Sequence, residues 1–318
     1  MKVSYLALFL FLIAHKVIGQ TKVDSIPFVA YWQNGDSYNF KVTKLKQQWQ
    51  DDKLIKNDSA TFQANFTVLD SSETGYRIKW AYDIDWSKFS FADSSTSELI
   101  KNIAKDMVME ATYKTDEVGQ YRGLENFEEI KNKMLNIFDK ISEHFEKSGK
   151  MPPEQSKKMN QALLKLFSSK ELIEQMVAED ILLFHSPFGI IYPVRDTLLY
   201  TGEMQNPFGN TPIPARISMF TDDLDLDNSF CVISQITTIN PTDAKKYLLA
   251  LLPQLGIPAN EIKKMAQTST LDISDKKHFE YWYNPGVPYF IEASKQAILH
   301  LGEEKLKRID ITRIQYND

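Results

Sequence analysis

The chain has 318 residues, 43% of them hydrophobic and 25% charged, with 42 acidic against 37 basic side chains and a net charge of −5. That composition excludes intrinsic disorder, and the lysines lie scattered among acids instead of forming the stripe a phosphate backbone needs, so nucleic acid is not an expected partner. A single cysteine, Cys231, excludes an internal disulfide, and its apolar neighbours Phe230, Val232 and Ile233 predict a buried, inert thiol.

Lys2 followed by an apolar run from Val3 to Ala14 and by Val17-Ile18-Gly19 has the layout of a cleaved signal peptide, residues 1–19, with the mature chain beginning at Gln20. The run is shorter than the roughly 20 residues a bilayer-spanning helix needs, so no transmembrane segment is expected after cleavage. No cysteine stands near the cleavage site, which argues against a lipid anchor and for an exported protein of the periplasm or the extracellular space. Without Lys2 and Lys16 the balance is 35 basic against 42 acidic groups, net −7.

From Ser37 onward the apolar period is two: Tyr38, Phe40 and Val42; then Phe62, Ala64, Phe66 and Val68; then Tyr76, Ile78, Trp80, Tyr82 and Ile84. Polar gaps at Gln50–Ser59 and Asp70–Gly75 predict turns and therefore an antiparallel meander of three strands. Leu99, Ile100, Ile103 and Met107 then predict a helix, followed by an extended piece from Ala111 to Tyr121. Phe127, Ile130, Met134, Ile137, Phe138, Ile141 and Phe145 recur at three and four, predicting a long amphipathic helix that stops at Gly149, with two more helices across 154–180.

Strand character is expected again at Ile181–His185, broken by Ser186-Pro187-Phe188-Gly189, and a proline-rich loop carrying Pro193, Pro207, Pro212 and Pro214 follows. Further strands are expected at Ala215–Thr221 and Phe230–Ile239, a helix from Pro241 and a short one around Ile262 and Met265. The C-terminal strands are Leu271–Tyr283, Val287–Ala293, Ala297–Leu301 and Leu306–Tyr316, the first two joined at Asn284-Pro285-Gly286. Ile309 and Ile311 take one parity while Ile314 and Tyr316 take the other, which predicts a bulge near Thr312. Strands and helices grouped in runs indicate α+β: a mainly antiparallel, curved sheet built from N- and C-terminal strands. A helical insert at about 96–180 packs against it, within one exported domain spanning 20–318.

Gly35-Asp36-Ser37 together with Asp275-Lys276-Lys277-His278 resembles the GDS and DxxH blocks of the SGNH or GDSL hydrolases. The resemblance implies an exported esterase in which Ser37 attacks an ester and His278 and Asp275 activate it. In that family a helix follows the serine, whereas Tyr38, Phe40 and Val42 continue as a strand, and the alternative is a polar hairpin turn plus a solvated strand edge. Asp223, Asp225 and Asp227 are spaced like the start of a calcium loop, yet Asn228 stands where a glycine is wanted and Ser234 where a bidentate Glu is, so a solvated turn competes. No zinc spacing, phosphate loop or dinucleotide fingerprint occurs, and no cofactor is expected.

Tyr76, Trp80, Tyr82, Tyr281, Tyr283 and Tyr289 suit the wall of a ligand site, having apolar bodies and polar tips, although a sheet covered by helices uses the same residues as core. The opening strand from Gly35 to Val42, the helical middle and the turn at Asn284-Pro285-Gly286 are together similar to exported α+β proteins of Bacteroidetes type, a resemblance that transfers no functional residue. The expectation is a soluble binding or envelope-maintenance protein for an apolar or amphipathic small molecule or envelope component. A structural or protein-interaction module is the further alternative, and no motif specifies an oligomeric state.

Overall fold

The computed structural model describes residues 23–83, 109–149, 152–166, 169–204, 212–251, 253 and 269–318. The strands are β1 (Ser25–Pro27), β2 (Ser37–Gln50), β3 (Lys53–Ser72), β4 (Gly75–Asp83), β5 (Met109–Thr115), β6 (Tyr121–Leu124), β7 (Ile191–Pro193), β8 (Leu198–Met204), β9 (Ile213–Asp225), β10 (Phe230–Ile239), β11 (Thr270–Trp282), β12 (Val287–Leu301) and β13 (Glu304–Tyr316). The helices are α1 (Phe127–Lys147), α2 (Pro153–Leu166), α3 (Lys170–Val177), α4 (Glu179–His185) and α5 (Pro241–Leu251). The leader, the helix expected near Leu99 and the one near Ile262 lie outside the described residues.

Eleven strands form one open antiparallel sheet in the order β6-β5-β4-β3-β2-β13-β12-β11-β10-β9-β8, while β1 and β7 pair separately. The two ends of the chain meet in its middle, where β2 pairs with β13 from Phe40 opposite Tyr316 to Gln50 opposite Leu306. The N-terminal meander is as expected, but the polar stretch after Gln50 is strand instead of loop. Asp51 and Asp52 make a two-residue turn at φ +49° and +63°, the left-handed geometry that matches strand twist, and β3 resumes at Lys53. At the other hairpin Gly75, at φ +140°, is required, since a Cβ there would sit 2.1 Å from the Thr115 carbonyl oxygen.

One face of the sheet, here the inner face, is covered at one end by α4, the segment 28–33 and the turn at 186–189. Phe28, Trp32, Phe184 and Phe188 pack there on Phe40, Phe66, Trp80 and Tyr281. The strand expected at Ile181–His185 is the helix α4. An apolar run this short fits either state, and here Ile181, Phe184 and His185 turn inward at spacings of three and four while Leu182 faces out. The expected proline-rich loop contains β7 and β8: Pro193 ends β7, Pro212 precedes β9 and Pro214 is its second residue, while Pro207 lies outside the described residues. Ala297–Leu301 continues β12 without a break.

No bulge occurs near Thr312: β13 keeps register with both neighbours along its whole length, and its aliphatic residues simply occupy both faces of a central strand. The shifts fall instead at Gln48/Trp49, Val68/Asp70, Lys114/Thr115, Val232/Ile233 and Glu280/Tyr281. α3 caps the short edge strand β6, Glu174 Oε1 accepting the Leu124 N–H at 2.8 Å, which blunts an exposed ladder.

Candidate functional site

Cross-strand register converts the strands into rows running across the inner face. One row is wholly apolar: Ile233, Phe279, Ile291, Ile314, Val42 and Phe62. The next, two residues along each strand, reads Gln235, Lys277, Ala293, Thr312, Lys44 and Ala60. The one after reads Thr237, Asp275, Lys295, Asp310, Lys46 and Asp58, so charge alternates across five adjacent strands. Opposed charges facing each other across a ladder stabilise by about 0.2–1 kcal/mol a pair.

Beyond this belt the face turns apolar again. Leu271, Ile273, Leu299 and Ile239 pack there under Ala244 and Leu248 of α5. Between the two covered ends lies a cavity of about 910 Å³ with the polar belt as its floor. Its lining holds five cations, Lys44, Lys46, Lys277, Lys295 and Arg308, and five anions, Asp58, Glu179, Glu203, Asp275 and Asp310. Ile217, Met204, Ile273 and Ala297 give it an apolar flank.

α4 starts at the cavity rim, and its first two residues anchor it. Lys44 Nζ lies 3.0 Å from Glu179 Oε2 and 3.0 Å from Asp180 Oδ1, and the Tyr82 hydroxyl donates to Asp180 Oδ2 at 2.9 Å. Burial pushes the Asp180 carboxyl above its ordinary range against the pull of Lys44, and burial together with the Asp180 charge pushes the Tyr82 phenol well up. Burial would raise Glu179 too, but Lys44, with Lys295 and Lys46 beyond, holds it below the usual carboxylate range. Burial works against the Lys44 ammonium, yet Asp180 and Glu179 outweigh it and keep its pKa raised.

The aromatic side chains expected to line a ligand site are mostly core. Trp80 and Tyr281 are fully buried, Trp80 stacking on Phe40 with ring centroids 5.9 Å apart and Tyr281 donating to the Phe184 carbonyl at 2.6 Å. Tyr76 donates to the Ala30 carbonyl at 3.0 Å, and Tyr283 packs against the same core. Tyr289 is exposed and meets Trp282 edge-on at 5.5 Å, away from the cavity lining. The row of charges, not the aromatic set, faces the empty volume.

The three residues of the expected esterase are not brought together. Ser37 begins β2 and shares hydrogen bonds with Thr67 Oγ1 at 3.2 Å and Asn65 Nδ2 at 3.1 Å. His278 is three strands away and level with Thr43, which puts it roughly 14 Å across and 20 Å along the sheet from Ser37. It pairs with Glu280 Oε1 at 3.0 Å. Asp275 and His278 are three positions apart on β11 and so point to opposite faces, Asp275 inward with Ile273 and Phe279. The triad geometry that activates a serine is therefore not assembled.

Asp223 and Asp225 end β9, and Asp227 lies in the following turn. Asp225 Oδ1 accepts the N–H groups of Asp227 and Asn228 at 3.1 Å each, folding the segment as an Asx turn. Among the described residues no group of three or more His, Cys, Asp or Glu side chains could hold a metal ion. Among them also, no helix is long and apolar enough to cross a membrane.

Lys44, Lys46, Lys277, Lys295 and Asp310 are site residues that sequence reasoning missed. Their signal is a parity one: in β2, β11, β12 and β13 charged side chains take the positions that apolar residues hold elsewhere along the same strand.

No family model and no curated protein matches the chain. Among solved structures it is similar to one described as lipid–protein interactions in lipovitellin, at 8% sequence identity and a TM-score of 0.42; the match covers 90% of this chain and 25% of that one, so the chain spans about a quarter of the lipovitellin chain.

Proposed function

We propose that the protein is an exported, non-enzymatic binding protein that holds an amphipathic ligand in the cavity between α4 and α5. The observation that carries this reading is the placement of the cavity: about 910 Å³ over a charged belt, with an apolar flank of Ile217, Met204, Ile273 and Ala297. Pockets that hold small molecules have this size and mixed character. The lining runs from Asp58 on β3 to Glu203 on β8, seven strand spacings that would measure about 34 Å in a flat sheet, which supports a curved sheet wrapping its ligand.

The charged floor argues against a wholly apolar ligand, because burying these side chains under hydrocarbon would cost several kcal/mol for each unpaired charge. A polar head on the belt with an aliphatic part along the flank satisfies both surfaces. The leader at 1–19 is what supports export, and it makes an envelope component the natural ligand source.

Native mass spectrometry of the protein purified from its own envelope tests the reading, with Ala297→Trp as the comparison that fills the cavity. The expected result is a bound amphiphile on the wild type and its loss from the variant. An identical, ligand-free spectrum from both, with no amphiphile binding added back in solution, would refute it.

A further inference from the structure

Two oppositely charged groups on the cavity floor have polar atoms without a hydrogen-bonded counter-ion among the described residues. Asp275 is only 8% exposed, and its Oδ1 has no hydrogen-bond partner among the described residues. A buried carboxylate oxygen left without a donor carries a desolvation cost of the order of 1–3 kcal/mol or more, so its persistence asks for an explanation. Lys277 sits two residues further on the same face of β11, and no carboxylate among the described residues hydrogen-bonds its ammonium. Burial pushes the Lys277 pKa down, Asp275 opposing that and Lys295 adding to it.

The surroundings are complementary to a ligand with both signs of charge. Thr237 and Lys295 stand opposite Asp275 on its two sides, and Gln235 stands opposite Lys277, with Gln235 Nε2 donating to Thr237 Oγ1 at 3.3 Å. An anionic ligand alone would be drawn to Lys277 and repelled by Asp275. A cationic ligand alone would meet the reverse.

We propose that Asp275 and Lys277 form a recognition site for a zwitterionic head group, in which a ligand ammonium donates to Asp275 Oδ1 and a ligand phosphate or carboxylate accepts from Lys277 Nζ. This rests on the cavity reading above and names the class of ligand it takes. Two residues along a strand separate the groups by about 7 Å, a distance the flexible lysine stem shortens toward the span of a phosphoethanolamine unit. Lys295, across the ladder from Asp275, is placed to add a second donor to the same anion.

Calorimetric titration of the purified protein with lysophosphatidylethanolamine, lysophosphatidylglycerol, monoacylglycerol, a long-chain alkylammonium and free phosphoethanolamine tests the proposal. The expected result is at least tenfold tighter binding of lysophosphatidylethanolamine than of the glycerol, neutral and alkylammonium amphiphiles, with the preference lost in Asp275→Asn and in Lys277→Met. Phosphoethanolamine binding as tightly as its lyso-lipid supports the same site and assigns a free solute as its source; much weaker binding assigns a lipid. Equal binding of all the amphiphiles by the wild type overturns the zwitterion site while leaving the cavity reading standing. Binding of none overturns both, and the wild-type series decides even if a variant fails to fold.

Discussion

Acid should weaken this fold through one buried histidine. His185 is 3% exposed at the end of α4, with Nδ1 2.7 Å from the Gly119 carbonyl and Nε2 2.8 Å from the Tyr113 hydroxyl. A carbonyl only accepts, so Nδ1 carries the proton and Nε2 accepts from Tyr113, which makes the ring neutral with both nitrogens satisfied. Burial lowers its pKa from 6.5 to about 4, with the Gly119 carbonyl and the Asp116 charge opposing the fall. The unfolded chain therefore takes up a proton that the folded chain refuses between those values. Its contribution is complete above about pH 6.5 and is lost as the pH falls toward 4. At about 1.4 kcal/mol per pH unit, the loss is roughly 3 kcal/mol. Urea unfolding at stepped pH between 7.5 and 4, on the wild type and on His185→Gln, isolates this group from the many carboxylates that titrate in the same range. The wild type should lose about 3 kcal/mol more than the variant over that interval. Parallel stability profiles for the two proteins would refute the neutral, doubly bonded histidine.

Phe184 touches Phe40, Phe66, Trp80 and Tyr281 from α4, so Phe184→Ala should cost about 3–5 kcal/mol in chemical denaturation, and a loss below about 1 kcal/mol would mean that α4 does not seat the aromatic end of the sheet. Lys44→Met leaves the Asp180 carboxylate, 2% exposed, without its cation and should destabilise by about 1–3 kcal/mol, a loss that Lys44→Met with Asp180→Asn should largely restore; additive losses in the double variant would contradict the pairing. Cys231 is fully buried and its thiol is pushed up to about 12 by burial, so a thiol reagent at pH 8 should label it only at the rate of unfolding, and fast labelling of the native protein would show that β10 opens locally.

The meander, the strand at β10, the helix α1 and the turn at Asn284-Pro285-Gly286 are legible because each repeats its period often enough to choose one state. Ile181–His185 is not, since five residues complete barely more than one helical turn and both periods accommodate them. The long hairpin of β2 and β3 hides for another reason. Residues 53–59 are exposed on both faces, so hydrophobic alternation, the signal for a strand, is absent where the backbone pairing continues. The aromatic residues at Trp80 and Tyr281 read equally as ligand wall and as core from the sequence, because only tertiary packing reveals that Phe184 and Phe188 fill the space in front of them.

The polar belt itself explains where the covering elements stop. Had the apolar row from Ile233 to Phe62 been repeated two residues further along each strand, α4 could extend across the sheet toward α5 with nothing but hydrocarbon beneath it. Instead the next rows present Lys277, Lys44, Asp275, Lys295, Asp310 and Lys46, and a helix laid on them would take charged side chains out of water, a desolvation cost that their cross-strand pairing only partly repays. α4 obeys that boundary residue by residue. Glu179 and Asp180 meet the belt through Lys44, and Ile181 and Phe184 begin the dry contact one helical step later. At the far side α5 sets Leu248 on Leu271, Ile273 and Leu299, just past Asp275 and Lys295 on the same two strands. The cavity is the interval that neither helix can cover, so its width follows from the spacing of charged side chains along four neighbouring strands.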